Sequence, residues 1–457
     1  MITLIANLFR KIGLDQSVAW TLTTQGSRFI TGTVSMILIV RFLSTEAQGY
    51  AYTFGSILAI SVFLEMGFSQ NILQFAAHEF SKLRFDDSRR LAGDACAFSR
   101  FTSLGRLSFK YYAIASVAFF FAAVFGGLWF FAYHSSVDFI WRAPWVIACV
   151  SSALALLLNP CWSLLQGCNQ IAEIERFRFV NSLLGFVAMS CGLMMGGGLF
   201  AVVAPSVVNI IASVLYLSWR WKHFFLIFME RPENGQISWV REIWPFQWRI
   251  AISWISGYFI FSAITPVVFR VSGAGAAGRV GFTLQLLRTV CGLAASWSTT
   301  KLPLFGILVA RGEWAELASV WRKATLMTVA VSAVGCVVAI VAMNVIAIVA
   351  PSFSTRYSGT QIALLFGISL VLQNLISGYA YYLRAFKKEP FVLLSIFQAV
   401  LSFGMVVGLT VWLNEFGAAL GYMAATLATA LPAWIIFRTK RTLYQDASIR
   451  ELGPAGA

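Results

Sequence analysis

Charged residues are scarce in this chain of 457 residues, and acidic ones are scarcer than basic ones. Asp, Glu, Lys and Arg make up 12% of the sequence, against roughly 25% in a typical soluble domain. Hydrophobic residues make up 59%, and the mean hydropathy is +0.76. Such a composition excludes a water-soluble globular fold. It predicts a membrane-embedded chain, since a spanning helix needs about 20 mostly apolar residues.

Residue patterns typical of metal, redox or nucleotide chemistry are also missing. The seven cysteines form no Cys-x-x-Cys pair, and the three histidines are widely separated in sequence. There is no Walker A, Gly-x-Ser-x-Gly or His-Glu-x-x-His motif. Residues 273–278 match Gly-x-Gly-x-x-Gly, but without the preceding strand that dinucleotide binding requires. We therefore predict no catalytic residue, no metal and no cofactor.

Long apolar runs are what the sequence does contain. A window of about 19 residues finds twelve candidate spans. They lie near residues 18–42, 49–76, 111–133, 145–167, 179–199, 201–219, 249–270, 279–303, 324–349, 361–383, 391–412 and 417–437. Residues 1–13 are expected to form an interfacial helix and residues 78–110 an amphipathic hairpin at the headgroups. Residues 220–249 are expected to include a further interfacial helix that leads into the seventh span.

The net charge of +15 could suggest nucleic acid, but the positions of the basic residues argue for a membrane instead. Most of the 34 Lys and Arg residues lie near the termini and in the even-numbered connections. The other connections hold only Arg41, Arg142, Arg270, Arg279 and Arg356. This bias predicts that both termini are cytoplasmic.

A short pattern occurs twice, half a chain apart. Arg41-Phe-Leu-Ser-Thr-Glu-Ala-Gln-Gly49 closes one predicted span and opens the next, and Arg270-Val-Ser-Gly-Ala-Gly-Ala-Ala-Gly278 does the same. An even number of spans in each half makes the repeat parallel. We predict an all-α polytopic membrane protein with about 12 transmembrane helices in two six-helix lobes, residues 1–225 and 226–457.

Three ionisable residues lie well inside predicted spans, namely Arg28, Glu65 and Arg288. A central charge costs about 2.5–3.5 kcal/mol on the insertion scale, so such residues usually face a bundle interior or a wet cavity. The arginines, with Lys301, Gln25 and Gln285, are candidate ligands of an anionic head group, because the guanidinium fork suits phosphate and carboxylate oxygens.

Other interpretations of these residues stay open. Arg28 and Glu65 lie at similar depth on adjacent spans and can neutralise each other as an ion pair. Glu65 can instead bind a coupling proton or cation. Lys301 can extend to the membrane interface. Neutral polar residues within spans, Asn159 and Asn209 among them, can contact sugar hydroxyls or bond to neighbouring helices.

The chain resembles the O-antigen and exopolysaccharide flippases, which are polysaccharide transporters of the multidrug/oligosaccharidyl-lipid/polysaccharide exporter superfamily. The first half carries Arg41-Phe-Leu-Ser-Thr-Glu-Ala-Gln-Gly-Tyr50 and Phe63-Leu-Glu-Met-Gly-Phe68. The second half carries Gly257-Tyr-Phe, Ala277-Gly-Arg-Val-Gly-Phe282, Thr300-Lys-Leu-Pro-Leu-Phe305 and Ala310-Arg-Gly-Glu313. The resemblance implies alternating access between two lobes, with spans one, two, seven and eight lining the cavity.

From this resemblance we expect a flippase for an undecaprenyl-diphosphate-linked oligosaccharide in the bacterial cytoplasmic (inner) membrane. It would serve lipopolysaccharide or exopolysaccharide biosynthesis, with H+ or Na+ as a possible counter-ion and polysaccharide polymerase or export proteins as partners. A cation-coupled multidrug antiporter of the same superfamily is an alternative, although only one acidic residue lies within a span. A membrane glycan ligase or polymerase is a weaker one, because the longest predicted external connection is only 134–144.

Overall fold

A computed structural model describes residues 16–86, 89–132, 140–229, 238–239, 242, 244–386 and 388–452. Apart from two short strands, the regular structure is helical. In chain order the elements are α1 (Gln16–Phe42), α2 (Thr45–Leu58), α3 (Ser61–Glu65), α4 (Phe68–Phe80), β1 (Leu83–Phe85), β2 (Leu91–Gly93), α5 (Ala95–Ala132), α6 (Arg142–Gly167), α7 (Ile171–Met194), α8 (Gly198–Arg220), α9 (Lys222–Leu226), α10 (Trp244–Phe261), α11 (Ile264–Thr299), α12 (Leu302–Arg311), α13 (Trp314–Val349), α14 (Gly359–Arg384) and α15 (Val392–Leu452). Two 3₁₀ turns, Ile227–Met229 and Pro351–Arg356, connect helices.

Among the described residues, nine helical stretches are long and apolar enough to cross a membrane. Two of them, Ala251–Val309 with 59 residues and Val392–Gln445 with 54, have the length of two crossings each. The backbone leaves the helical region within them at Gly273 (φ 86°) and Asn414 (φ 52°). These stretches account for eleven crossings, and α1, which is not one of them, has 27 residues and therefore the length for the twelfth. The predicted all-α polytopic membrane class is confirmed.

The second predicted span is broken rather than continuous. Residues 49–76 fall on α2, α3 and α4, and Met66 (φ 48°) and Gly67 (φ 66°) form a left-handed turn between the last two. Left-handed residues end a helix because the next N–H groups no longer point along its axis. The break gives the carboxylate of Glu65, the last residue of α3, a different environment from that of a residue within a regular helix.

The predicted hairpin within residues 78–110 is a β-hairpin. Strands β1 and β2 pair antiparallel, with Leu83 opposite Gly93. Asp94 then caps α5 by accepting a bond of 2.8 Å from the Ala97 N–H, so this helix begins well before the predicted residue 111. The predicted interfacial helix at 1–13 lies outside the described residues, as do 230–237, 240–241 and 243 of the segment 220–249.

The helices pack into two compact units. Unit 1 comprises Met1–Leu43 and Ile57–Ile255, and unit 2 comprises Ser44–Ser56 and Ser256–Ala457. These bounds differ from the predicted lobes 1–225 and 226–457 in two ways: the division falls at residue 255, and all of α2 except its last two residues belongs with unit 2.

Contacts of the connecting segment explain why unit 1 extends beyond residue 225. The Arg106 guanidinium donates to the carbonyl of Phe228 at 2.7 Å. Glu242 pairs with Arg100 at 2.8 Å, and Trp239 stacks on Tyr111 with ring centroids 5.1 Å apart. The Ser238 N–H and the Arg100 guanidinium also hold the pKa of the Glu242 carboxyl below its ordinary value. Sequence patterning cannot reveal such tertiary anchors.

Within unit 2, the two copies of the repeated turn contact each other. Gly49 and Gly278 occupy equivalent repeat positions. A Cβ on Gly49 would lie 1.8 Å from the Ala274 carbonyl oxygen, and one on Gly278 would lie 2.6 Å from the Thr45 carbonyl oxygen. The Gln48 amide donates to the Gly278 carbonyl at 2.8 Å. The repeated glycines therefore allow two helix backbones to meet, which is the role of small residues at helix crossings in membranes.

We predict that Gly49→Ala destabilises the protein by about 1–3 kcal/mol, the usual cost of overpacking. Gly55→Ala is the matched control, because it lies on the same helix and its Cβ would meet nothing within 4 Å. Thermal unfolding midpoints of the purified proteins in detergent measure the difference. Equal midpoints for the two variants would contradict the close backbone contact.

Candidate substrate site

Unit 1 contains a cavity of about 500 Å³ between α1, α6, α7 and α8. Its volume falls in the range of roughly 300–1,000 Å³ that is common for small-molecule sites. Positive and neutral polar side chains dominate its lining, and none of the described lining residues carries a carboxylate. The polar members are Arg28, Asn159, Arg178, Asn181, Ser182, Asn209 and Ser213.

Arg28 reaches this cavity because α1 is fastened to α7. The Thr24 hydroxyl donates to the Glu175 carbonyl at 3.0 Å, and the hydroxyls of Ser27 and Ser182 lie 3.4 Å apart. Arg28 itself is exposed, and the nearby charges that act on it are those of Arg178 and Glu175. Within the described part of the chain its guanidinium forms no ion pair, so its donors remain available to a ligand.

Arg178 is the second cation of the cavity, and sequence reasoning missed it. The expected fifth span starts at residue 179, whereas α7 begins at Ile171 and carries Arg178 within the helix. Its Nη1 pairs with Glu175 Oε1 at 2.8 Å, one helical turn earlier. The three-residue spacing of Glu175 and Arg178 is typical of an ion pair on a helix. This spacing was the signal in the sequence that could have placed Arg178 within the helix. Because one carboxylate faces two guanidinium groups, the cavity keeps a positive charge.

Asparagine side chains form a short relay along the cavity. The Asn181 amide donates to Asn209 Oδ1 at 2.7 Å, and the Ser213 hydroxyl donates to the same oxygen at 3.1 Å. Asn181 is only 7% exposed, and its own Oδ1 has no hydrogen-bond partner among the described residues. A buried acceptor without a donor is costly, so this oxygen is suited to a donor that a ligand brings. The predicted polar residues Asn159 and Asn209 both line the cavity.

Aromatic rings form one wall of the cavity. Trp162 and Phe177 line it, and their rings stack with centroids 5.3 Å apart and an interplanar angle of 19°. Tyr216 stacks on Phe177 from the next helix at 4.4 Å and 20°. The stack fixes the orientation of Trp162, because rotating one ring would break contacts with the others.

Glu65 does not neutralise Arg28. Among the described residues no ion pair joins the two, and the Glu65 carboxylate instead accepts a bond of 2.6 Å from the Ser69 hydroxyl. The Tyr111 hydroxyl donates to the neighbouring Leu64 carbonyl at 2.5 Å. The ion pair between Arg28 and Glu65 that the sequence left open as an alternative is therefore not formed, since α1 turns Arg28 toward α7 while the broken helix after Glu65 supplies a local donor.

Arg288 belongs to unit 2, where its guanidinium donates to the carbonyl of Phe261, the last residue of α10. The chain breaks there before α11, and Pro266 in the first turn of α11 has no N–H with which to continue the helix. Arg288 thus supplies a donor to a helix end that would otherwise keep an unpaired carbonyl. A positive charge is also favourable at the carboxyl end of a helix.

The three remaining predicted ligands do not line the unit 1 cavity. Gln25 is exposed on α1, one turn before Arg28, and Gln285 is exposed on α11, one turn before Arg288. Lys301 is exposed at the turn between α11 and α12. Their roles, like that of Arg288 in substrate binding, stay predictions.

We predict that Arg288→Met lowers the stability of the protein by about 1–3 kcal/mol, because it leaves the Phe261 carbonyl without its donor. Arg28→Met should leave stability nearly unchanged, since that exposed guanidinium forms no ion pair in the described structure. Thermal unfolding of both purified variants tests this contrast. A larger loss for Arg28→Met than for Arg288→Met would contradict the two assignments.

The fold is shared with known transporters. A structure of a multidrug resistance MATE family transporter of the MOP superfamily, in an inward-facing conformation, is similar with a TM-score of 0.65 and 13% identity over 93% of this chain and 96% of that chain. The lipid II flippase MurJ, in an inward closed conformation, is similar with a TM-score of 0.63 and 15% identity over 92% and 87%. No protein-family model matches the chain, and no curated protein matches it in sequence.

At these identities the similarity establishes the fold alone. It covers nearly the whole chain and both compared proteins, so the architecture extends through both compact units rather than one of them. Substrate and coupling ion have to be argued from the side chains.

Proposed function

We propose that this protein is a flippase that moves an anionic, lipid-linked oligosaccharide across the bacterial cytoplasmic membrane. The observation that carries the proposal is the unit 1 cavity with two arginines, an asparagine relay and no carboxylate among its described lining residues. Guanidinium groups bind phosphate and carboxylate oxygens through paired N–H donors, and asparagine amides can bond to sugar hydroxyls.

The sign of the charge favours this function over the export of cationic drugs. A cavity for cations needs acidic groups, whereas Glu175, the carboxylate beside this cavity, is already paired with Arg178. The two arginines, in an environment of lower dielectric constant than water, attract an anionic head group more strongly than they would in water. Catalysis is not part of the proposal, because the function requires only binding and a change of access.

The shared fold supports a transport cycle by alternating access. In this proposal the head group enters from the cytoplasmic side and leaves on the opposite side, while the polyprenyl tail stays in lipid. Undecaprenyl diphosphate is the proposed carrier, both termini are proposed to be cytoplasmic, and polymerase or export proteins would receive the glycan. Gln25, Gln285, Arg288 and Lys301 are further proposed contacts.

We expect Arg28→Gln and Arg178→Gln each to lower the translocation rate at limiting substrate about tenfold or more, since a bond to a charged group is worth about 1.5–3 kcal/mol. The measurement uses proteoliposomes and a polyprenyl-diphosphate-linked glycan with a fluorescent label that a membrane-impermeant reductant quenches.

Arg176→Gln is the matched control for this assay. Arg176 lies on the same helix, but its guanidinium stacks over Trp20 at 5.1 Å and does not line the cavity. It should keep the wild-type rate. Wild-type rates in both cavity variants would overturn the assignment of the site. If the wild-type protein translocates no lipid-linked glycan but exports cationic drugs, the result would favour the antiporter.

Glu65 is the proposed coupling residue. Its carboxylate has one side-chain hydrogen bond, from Ser69, and lies near the phenols of Tyr111 and Tyr112. A carboxylate that is half-buried and has no basic partner in the described chain can bind a proton or Na+.

We predict that Glu65→Gln removes the dependence of translocation on an imposed H+ or Na+ gradient, since the amide cannot change its charge. Transport without a gradient and head-group binding should persist. Glu46→Gln, a carboxylate change in unit 2, is the control. Gradient-driven stimulation in Glu65→Gln equal to that of the wild type would exclude Glu65 as the coupling site.

A further inference from the structure

We infer that the unit 1 cavity is a subsite for one pyranose ring that carries a negative charge. This inference rests on the proposed function and deepens it. The cavity recognises an acidic sugar unit, which is either a sugar with a carboxylate or a sugar attached to phosphate. It does not select an inorganic anion or a neutral glycan.

The charge requirement comes from the arrangement of three groups. Glu175 is 8% exposed and engages one guanidinium nitrogen of Arg178 at 2.8 Å. An arginine side chain has five N–H donors, so Arg178 keeps donors for a second acceptor. Arg28 adds its own N–H donors from the neighbouring helix α1. An anion between the two guanidinium groups would relieve the repulsion between these like charges.

The hydroxyl requirement comes from the asparagine relay. Asn209 Oδ1 already accepts two hydrogen bonds, from Asn181 and Ser213. Asn181 Oδ1 has none within the described structure, although the residue is more than nine-tenths buried and lines the cavity. An anion that carries no O–H group, such as sulfate, leaves this acceptor unpaired because it brings no donor. A sugar hydroxyl supplies one, so the relay distinguishes a hydroxylated ligand from bare sulfate.

The ring requirement comes from the aromatic wall. The faces of aromatic rings are electron-rich and attract the weakly positive C–H groups on one side of a pyranose. Trp162 is held by Phe177, and Phe177 by Tyr216, at near-parallel angles of 19° and 20°. A prearranged aromatic surface lowers the entropic cost of binding. Aromatic, amide and guanidinium groups together match a charged sugar ring.

Size limits the subsite to a small part of the cargo. A volume of about 500 Å³ lies in the lower half of the range of roughly 300–1,000 Å³ for small-molecule sites. It admits a monosaccharide or a short segment rather than a full repeating glycan. One charged ring would therefore occupy the cavity while the remaining sugars lie outside it.

Equilibrium binding of soluble sugars to the purified full-length protein tests the inference. Four probes separate the contributions: glucuronate, glucose 1-phosphate, glucose and inorganic sulfate, an anion without an O–H donor. Isothermal titration calorimetry in detergent gives the affinities. We expect at least one acidic sugar to bind about tenfold or more tightly than both glucose and sulfate, and the preferred one identifies the source of the charge.

Three variants locate the binding. Trp162→Ala should weaken the acidic sugar about tenfold, and Trp162→Phe should restore most of the affinity. Asn181→Leu should reduce the preference for the acidic sugar over inorganic sulfate. Trp219→Ala is the control, because Trp219 lies on α8, is 83% exposed and does not line the cavity.

The outcomes separate this inference from the proposed function. Equal affinities for sulfate and the acidic sugars, or an affinity unaffected by Trp162→Ala, would overturn the sugar subsite. If translocation still depends on Arg28 in that case, the flippase proposal survives. Tight binding of an acidic sugar that depends on Trp162, without translocation of any lipid-linked glycan, would support the subsite and overturn the flippase proposal.

Discussion

The ion pair between Arg178 and Glu175 is the interaction on which the candidate site depends. It brings a guanidinium into an apolar helix bundle with a single carboxylate, while Arg28 stands beside it without a carboxylate of its own in the described structure. Charges are costly to bury in a membrane unless they are compensated. In the proposed site the uncompensated charge therefore favours an anionic ligand, and the asparagines and aromatic rings that line the cavity favour a sugar.

Breaks in the helices set the second constraint. In lipid every backbone N–H and carbonyl needs a partner, and at the end of α10 a side chain supplies one. Arg288 donates to the carbonyl of Phe261, the last residue of that helix. The Gln48 side chain instead links two helices by donating to the Gly278 carbonyl. Polar residues within spans thus have different roles: some bond to the backbone, and others face the cavity.

Sequence patterning predicted the helical class, the crossings and the repeated turn. Long apolar segments whose backbone groups must all be hydrogen-bonded in lipid have few alternatives to helices. It also identified Arg28, Asn159 and Asn209. It did not find Arg178, since hydropathy alone began the predicted span at residue 179, whereas α7 begins at Ile171. Nor could it distinguish the backbone role of Arg288 from the guanidinium of Arg28, which has no ion pair in the described structure, or assign residues 44–56 to unit 2, because tertiary contacts decide both.

The central claim is that the positive cavity selects the cargo by charge. Its most direct test is the ratio of translocation rates for two polyprenyl-diphosphate-linked glycans that differ only in one sugar, acidic in one and neutral in the other. We predict a ratio well above one for the wild type and near one for the Arg28→Gln/Arg178→Gln double variant. The same ratio in both proteins would contradict the account.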